Sequence, residues 1–210
     1  MAIHSICLVR DEADIIEHTL RAAATWSNRI YVHDNGSTDG TWETVLRLGR
    51  ELPQVVPFRR DEVPFDDALR RHAFDRFADD GTDGDWWCRL DADEVYIDDP
   101  RRFLDRIAPC FDTVWSASFQ YYLTDLDVQR YAEDPERYGD GVPIEQRCRH
   151  YLNNWSEVRF FRQHQTLRWD DGPLPAPLRR SYPERIRLKH YQYRSPQQVD
   201  KRFAVRAAAM

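Results

Sequence analysis

Short, continuous apolar runs alternate with amphipathic stretches through the first half of the chain. Runs of this length are typical of strands that are buried on both faces of a sheet, and they cover residues 3–9, 29–33, 54–58 and 85–90. The stretches between them carry apolar residues at helical spacing, which predicts helices. Strands separated by helices favour an α/β fold with a mostly parallel central sheet, flanking helices and right-handed crossovers.

Each predicted helix has a side that we expect to be buried. Asp14 is placed to cap the first helix, whose apolar side consists of Ile15, Ile16, Leu20 and Ala23. The second helix, at 41–50, offers for burial Trp42, Val45, Leu46 and Leu48. A third helix is predicted at 68–78. Helices of this kind would cover the faces of the sheet.

The regular alternation fades in the second half of the chain. Three later segments still have strand character, the first of them suited to antiparallel pairing, namely 113–123, 157–161 and 185–193. Residues 125–155 are polar and rich in tyrosine and charge, and they give no assignable pattern. Ser195 and Pro196 are typical of a helix cap and a first helical position, so they predict a final helix. That helix is still running at Met210, as in a shortened chain.

The composition fits one globular domain and disfavours several other classes of protein. The 210 residues are 41% hydrophobic, the formal net charge is -6 and the basic residues are scattered, so we expect no nucleic-acid partner. The four cysteines include no Cys-x-x-Cys pair, which argues against a zinc site, and Cys7 and Cys88 lie in apolar runs as buried thiols do. With no N-terminal signal and no apolar run of about 18 residues, we expect a cytoplasmic protein without a transmembrane segment, with peripheral membrane contact left open.

Polar loops follow three of the predicted strands. They begin at Arg10, Asp34 and Asp91. Carboxyl ends of parallel strands meet at one edge of a sheet, where ligands of α/β proteins bind. Asp91 and Asp93 are two residues apart and face the same way if the segment is extended. Paired carboxylates suit Mg²⁺ or Mn²⁺ shared with phosphate oxygens, although a solvated acidic turn has the same pattern.

Four segments of the chain carry recognisable motifs. The N-terminal three are Ile6-Cys7-Leu8-Val9-Arg10-Asp11-Glu12-Ala13-Asp14-Ile15-Ile16, Asp34-Asn35-Gly36-Ser37-Thr38-Asp39-Gly40-Thr41 and Asp91-Ala92-Asp93-Glu94. The fourth contains Leu188-Lys189-His190-Tyr191 and, after one residue, Tyr193-Arg194-Ser195-Pro196. Together they resemble the family 2 glycosyltransferases of the GT-A fold, including a branch in which a His-Tyr pair and a Ser-headed helix close the domain. Residues 125–185 add little to the resemblance.

The resemblance implies a single GT-A glycosyltransferase domain over 1–210. Its nucleotide-sugar half would cover 1–110, and its acceptor half with the closing helix would cover 111–210. The implied fold is a Rossmann-like, mostly parallel sheet flanked by helices, with a small antiparallel region on the acceptor side. The implied donor is a nucleoside diphosphate sugar, with a UDP-sugar as the first choice, and the implied cofactor is Mn²⁺ or Mg²⁺.

The resemblance also implies roles for single residues. Those that would bind the nucleotide sugar are Val9, Arg10, Glu12, Asp34, Asp91 and Ala92. Among them, Asp34 would hydrogen-bond the base, Asp91 would face the ribose and Glu12 would support the nucleotide loop. Asp93 would bind the metal that bridges the diphosphate. His190 would complete the metal shell or contact the diphosphate, and a purely structural histidine is the alternative.

The chemistry of sugar transfer calls for one more group. Cleavage of the sugar–diphosphate bond leaves negative charge on the nucleotide, which a divalent cation neutralises. An inverting transfer also needs a carboxylate base that is not a metal ligand. Asp171, with Asp170 beside it, is the first choice because both precede a Pro-rich loop in the acceptor half; Glu94 and Glu145 follow. A solvent-exposed turn at 170–171 and an arginine partner for Glu94 are the structural alternatives.

The sequence therefore predicts an enzyme, a metal-dependent hexosyltransferase that acts on a hydroxyl acceptor with inversion. The acceptor would be a glycan, a lipid-linked glycan or a protein. A nucleotidyltransferase would carry a Gly-rich loop with a basic residue after the first strand, whereas Arg10-Asp11-Glu12 contains no glycine. The other alternative is a degenerate GT-A domain that binds a nucleotide sugar or a partner without turnover, and the intact Asp91 and Asp93 disfavour it.

Overall fold

The computed structural model describes residues 1–64, 66–139 and 141–208. The chain forms two compact units. The first consists of Met1–Ala117 and Ser156–Leu188, and the second consists of Ser118–Trp155 and Lys189–Met210. The chain leaves the first unit at Ser118 and returns to it at Ser156. The functional halves 1–110 and 111–210 stay a prediction.

The described residues contain nine β-strands and eight α-helices. The strands are β1 (Ile3–Val9), β2 (Arg29–Asp34), β3 (Val55–Arg60), β4 (Trp86–Asp91), β5 (Glu94–Tyr96), β6 (Thr113–Tyr122), β7 (His150–Trp155), β8 (Val158–Arg162) and β9 (Ile186–His190). The helices are α1 (Ile16–Ala24), α2 (Thr41–Glu51), α3 (Arg71–Phe77), α4 (Pro100–Asp105), α5 (Asp125–Glu133), α6 (Pro135–Tyr138), α7 (Ile144–Arg147) and α8 (Pro196–Ala208). Within the described part of the chain, none of the helices has both the length and the apolar character needed to cross a membrane.

The first unit is built on a parallel block of strands. The order is β3-β2-β1-β4, and all three pairings are parallel. Strand β8 pairs with β4 in the antiparallel direction, and the first residues of β6 pair antiparallel with β8. The predicted α/β class, with a parallel core and added antiparallel strands, is confirmed. Strand β1 lies between β2 and β4, so the chain proceeds to one side of β1 first and to the other side later, which is the arrangement of a ligand-binding switch point.

Helices cover both faces of the parallel block. Cys7 and Val32 belong to an apolar layer with residues of α1, α2 and α4. Their chain neighbours Ile6 and Tyr31 point to the opposite face and belong to a second layer with residues of α3. The three inner strands β2, β1 and β4 are mostly apolar because elements on both faces cover them. The predicted buried thiols are confirmed for Cys7 and Cys88, and burial raises the pKa of Cys88 to about 12.

Two details of the first helices were wrong. Asp14 does not cap α1, whose N-cap residue is Ile15 and has no side-chain cap bond; the N–H groups of Ile15 and Ile16 donate instead to the Glu12 carbonyl. Leu46 is 37% exposed. Each helical residue turns by about 100°, so Leu46 lies off the stripe that its neighbour Val45 buries.

The third helical segment is interrupted. In place of one helix at 68–78, the chain forms a 3-10 helix (Asp67–Arg70), then α3, then a second 3-10 helix (Ala78–Asp80). Asp66 caps the first of these through a bond from the Ala68 N–H at 2.8 Å. This interruption has a consequence for the site, because Arg70 ends the first short helix and its side chain is buried.

The second unit is small and more polar. The last residues of β6 pair antiparallel with β7, from Ser118 opposite Trp155 to Tyr122 opposite His150. All six residues of β7 are exposed. Short helices and an exposed strand leave no strong apolar pattern, which is why residues 125–155 gave no prediction. The predicted Ser195 cap of α8 is confirmed by a bond from a main-chain N–H to its hydroxyl at 3.3 Å.

Candidate functional site

Hydrogen bonds fasten the loop after β1 to the loop after β2. The Asp11 N–H donates to the Ser37 hydroxyl at 2.9 Å, and the Asp11 carboxylate accepts from the Thr38 N–H at 2.8 Å. The Glu12 N–H donates to the Thr41 hydroxyl at 2.9 Å. These bonds hold Asp11 in a left-handed conformation, with φ of 55°. The two loops therefore form one platform at the carboxyl ends of β1 and β2.

Asp34 is the last residue of β2, and its side chain holds the loop that follows this strand. Its side chain is fully buried, and Oδ1 accepts from the N–H groups of Gly36 at 3.0 Å and Ser37 at 2.8 Å. Arg60 Nε lies 3.7 Å from the same oxygen. Among the described residues, Oδ2 has no hydrogen-bond partner. A buried acceptor without a hydrogen bond costs about 1–3 kcal/mol, so a hydrogen bond from a ligand N–H to this oxygen would recover that free energy.

Gly36 gives the second loop its shape. Its φ is +79°, a conformation that side-chain-bearing residues rarely adopt. An added Cβ would lie only 3.1 Å from Glu62 Cβ. Both facts require glycine two residues after Asp34, which is the spacing of the sequence motif.

Strand β1 separates Asp34 from Asp91. In the register of the sheet, Val9 lies opposite Asp34 and Leu8 lies opposite Asp91. Neighbouring strands are about 4.8 Å apart, which puts the two aspartates about 10 Å apart across β1. Three of the predicted nucleotide-binding residues, Val9, Asp34 and Asp91, therefore lie at one edge of the sheet.

The acidic segment 91–94 is a turn. Asp91 ends β4 and Glu94 begins β5, with Ala92 and Asp93 between them. The expectation that Asp91 and Asp93 share one extended segment was wrong, because the turn replaces the extended backbone. The turn instead brings carboxylate oxygens of Asp91 and Glu94 within 4.8 Å of each other. Asp93 is buried.

Two buried arginines hold this turn. Arg159 Nη2 lies 2.9 Å from Asp91 Oδ2 and also contacts Glu94. Arg70 contacts the other oxygen, Asp91 Oδ1. Burial by itself would lower the pKa of Arg159, but the surrounding carboxylates raise it well above its ordinary value. The sequence analysis missed both arginines, because no local motif marks a partner that lies 65 residues from Glu94.

The ionic network continues below the turn. Arg89 Nη2 lies 3.3 Å from Asp67, and Nη1 lies 3.8 Å from Glu157. Burial lowers the pKa of Arg89. The whole network, without Asp93, contains three guanidinium groups and four carboxylates. The arginines are Arg70, Arg89 and Arg159, and the carboxylates are Asp67, Asp91, Glu94 and Glu157. Carboxylate oxygens in excess of their cations are the donor set that Mg²⁺ and Mn²⁺ prefer, so the residues of the turn fit the implied metal.

The carboxylates considered for the base lie in different environments. The Asp171 side chain is 97% exposed, and its Oδ1 accepts from Arg71 Nη1 at 2.7 Å. Asp170 is exposed beside it, and Glu145 is exposed on α7 of the second unit. Glu94 is buried and pairs with Arg159, which is the arginine contact expected if Glu94 has a structural role instead of acting as the base. None of these contacts tests which carboxylate accepts a proton, so the base stays a prediction.

The roles of the remaining site residues stay predictions, and the structure shows only where these residues lie. Arg10 and Glu12 lie in the loop after β1, and Ala92 lies in the acidic turn. His190 ends β9 in the second unit. Asp93 is the residue of the turn to which the metal role was assigned.

Comparison with known proteins found likeness only among solved structures. No protein-family model matches the sequence, and no curated protein matches it. One similar structure is the mannosyltransferase PcManGT from Pyrobaculum calidifontis in complex with GDP-Man and Mn²⁺, with 21% identity, a TM-score of 0.43 and coverage of 55% of this chain and 35% of that one. Another is TarS 1-349 from S. aureus in complex with UDP, with 13% identity, a TM-score of 0.40 and coverage of 60% and 37%.

A third similar structure has a different activity in its name. It is a putative glucose-1-phosphate thymidylyltransferase from Bacillus anthracis, with 14% identity, a TM-score of 0.41 and coverage of 60% of this chain and 58% of that one. The chain spans little more than a third of the length of the mannosyltransferase and of TarS 1-349. Likeness at this level assigns no activity, so the function has to be argued from the residues of the site.

Proposed function

We propose that the chain binds a nucleoside diphosphate sugar, with a UDP-sugar first, at the carboxyl ends of β1, β2 and β4 and transfers the sugar to a hydroxyl acceptor. The observation that carries this proposal is the placement of Asp34 and Asp91 on either side of β1, with Val9 between them. Asp34 would accept a hydrogen bond from an N–H of the base, and Asp91 would accept hydrogen bonds from the ribose hydroxyls. Each Asp91 oxygen keeps acceptor capacity beside its arginine, since a carboxylate has about four lone-pair sites.

The hydrogen bonds of Asp34 favour uracil over guanine. Oδ1 already accepts two main-chain N–H groups, so Oδ2 is the oxygen left for a base. Uracil offers one N–H on its pairing edge, whereas guanine offers donors on two neighbouring nitrogens. One available oxygen matches the single donor.

Asp93 is the proposed ligand for Mg²⁺ or Mn²⁺ at the acidic turn. When bound there, the ion would neutralise negative charge on the departing diphosphate. Asp171, with Asp170 as its neighbour in the same turn, would take the proton of the acceptor hydroxyl on the opposite side of the sugar, and the configuration would invert. The proposed acceptor is a glycan, a lipid-linked glycan or a protein.

Calorimetric titration of UDP and then GDP, each with and without Mn²⁺, tests the donor site. We expect UDP to bind at least about tenfold more tightly with Mn²⁺, a difference of about 1.4 kcal/mol, and to bind more tightly than GDP. Asp93→Asn should lose the gain from Mn²⁺, whereas Asp105→Asn, an exposed aspartate on α4, should keep it. Undiminished Mn²⁺ dependence in Asp93→Asn would contradict the metal assignment, and the absence of binding by either nucleotide would contradict the donor site.

A second candidate is a domain that binds a nucleotide sugar without turnover. The observation that favours it is that two of the carboxylates considered for the base, Asp171 and Glu94, are already paired with arginines. Release of UDP from UDP-hexoses, measured with a panel of glycan, lipid-linked glycan and protein acceptors, separates the two. Binding without any UDP release across the panel would support the second candidate.

A further inference from the structure

We propose that Arg159 is a positioning residue that acts as the internal counter-ion of the acidic turn. Its guanidinium holds Asp91 and Glu94 in place when no divalent cation is bound. The proposal deepens the proposed function, and its metal-dependent part rests on the metal site at this turn.

The geometry shows that Arg159 is held by charge. A single nitrogen, Nη2, lies 2.9 Å from Asp91 Oδ2 and 3.6 Å from Glu157, and also contacts Glu94. The Arg159 side chain is only 1% exposed. Within the described part of the chain, its Nε and Nη1 have no hydrogen-bond partner. Arginine usually holds carboxylates through a two-nitrogen fork, and no fork is used here.

The turn needs a positive charge nearby because its shape brings two carboxylates close together. Carboxylate oxygens of Asp91 and Glu94 lie within 4.8 Å of each other, and Glu94 is buried. Like charges at that separation repel, and the burial of Glu94 strengthens the repulsion although Asp91 is partly exposed. A divalent cation at the turn would supply the same compensation as Arg159. Removal of Arg159 should therefore make the stability of the protein depend on the metal.

Thermal unfolding of the full chain, in chelator and in millimolar MnCl₂, tests this dependence. We expect Arg159→Gln to lower Tm by about 6–15 °C in chelator, because it removes the buried positive charge that faces Asp91, Glu94 and Glu157. Mn²⁺ should restore at least about half of that loss, a rise larger than any Mn²⁺ gives the wild type by mass action. Arg159→Lys should lose less than Arg159→Gln, since one nitrogen makes all the contacts.

Two further variants provide controls. Arg187→Gln removes an arginine of the first unit whose partner is Asp98 and whose side chain is 57% exposed, and its Tm should respond to Mn²⁺ as the wild type does. In chelator, Arg159→Gln combined with Glu94→Gln should be more stable than Arg159→Gln alone, because one of the buried charges is gone.

The outcomes separate this inference from the proposed function. An equal rise in Tm with Mn²⁺ for the wild type and Arg159→Gln overturns the inference, even if UDP binds with Mn²⁺ as proposed. If Arg159→Gln does not fold, Arg159→Met, which also removes the charge and keeps much of the side-chain length, replaces it, and a rise with Mn²⁺ no larger than that of the wild type overturns the inference in the same way. A metal-dependent Tm in Arg159→Gln supports the inference, even if no nucleotide binds.

Discussion

At the scale of single residues, the charge partner of each carboxylate limits what it can do. Glu94 is buried against Arg159, and breaking a buried ion pair is far more costly than breaking an exposed one. Asp171 is 97% exposed, and its ion pair with Arg71 is of the kind worth about 0–1 kcal/mol. Asp171 can therefore exchange its arginine for an acceptor hydroxyl at little cost, which is why it stays our proposed base.

The variant Asp171→Asn tests this assignment. We expect turnover to fall by about 100-fold or more, the usual contribution of a general base, while the affinity for UDP with Mn²⁺ changes by less than about twofold. Steady-state kinetics and calorimetry on the same preparation measure the two quantities. Asp170→Asn is the matched comparison from the same turn and identifies which of the two carboxylates takes the proton. Full turnover in both variants would place the base elsewhere, with Glu94 examined next.

At the scale of elements, burial on both faces is what made the strands predictable. Strands β1, β2 and β4 are mostly apolar and almost entirely buried, and each was predicted to within a residue or two of its ends. The turn at 91–94 was not predictable in this way, because polar residues give no periodic pattern. Its arginines, Arg70 and Arg159, come from a short 3-10 helix and from β8, and only the assembled sheet brings them to Asp91.

Helices α1 and α2 are joined by four exposed charges whose effect should depend on pH. Arg21 contacts Glu17 at 2.8 Å and Glu51 at 2.6 Å, and Arg47 contacts Glu51 at 2.9 Å. Hydrogen bonds from Arg47 and Arg21 hold the pKa of Glu17 and of Glu51 below the ordinary value of 4.5. Since the pKa is lowered in the folded state, the stabilisation is present above the unfolded pKa and is lost as pH falls through the folded one.

The variant Arg47→Gln makes this pH dependence measurable. At pH 6 it should lower Tm by about 1–3 °C, because exposed pairs contribute little. Toward pH 3, as Glu17 and Glu51 begin to take up protons, the difference from the wild type should shrink. Thermal unfolding at both pH values gives the comparison, and Arg102→Gln, whose side chain is 90% exposed, is the control. A difference that persists unchanged at pH 3 would show that Arg47 stabilises the helices by packing.

At the scale of the whole molecule, the α/β class could be predicted and the division into units could not. Apolar spacing reports which face of an element is buried, and it does not report which segments pack together. The chain leaves the first unit inside β6 and leaves it again inside β9, where the local sequence pattern does not change. The fold class by itself leaves the activity open, so the functional proposal depends on Asp34, Asp91 and Asp93.

Hydrogen exchange should separate two strands that the structure places in contrasting environments. Strand β1 is buried at all seven residues and is paired on both sides, by β2 and β4. Strand β7 is exposed at all six residues and, among the described strands, pairs with β6 alone.

Opening β7 exposes little apolar surface, so its free energy of opening should be small, whereas β1 should exchange only through opening of most of the first unit. After correction for intrinsic rates, peptides covering 3–9 should be protected at least about 100-fold more than those covering 150–155. Equal protection would mean that β7 is covered in solution, by a second chain or a ligand, and would make its exposed edge an interface.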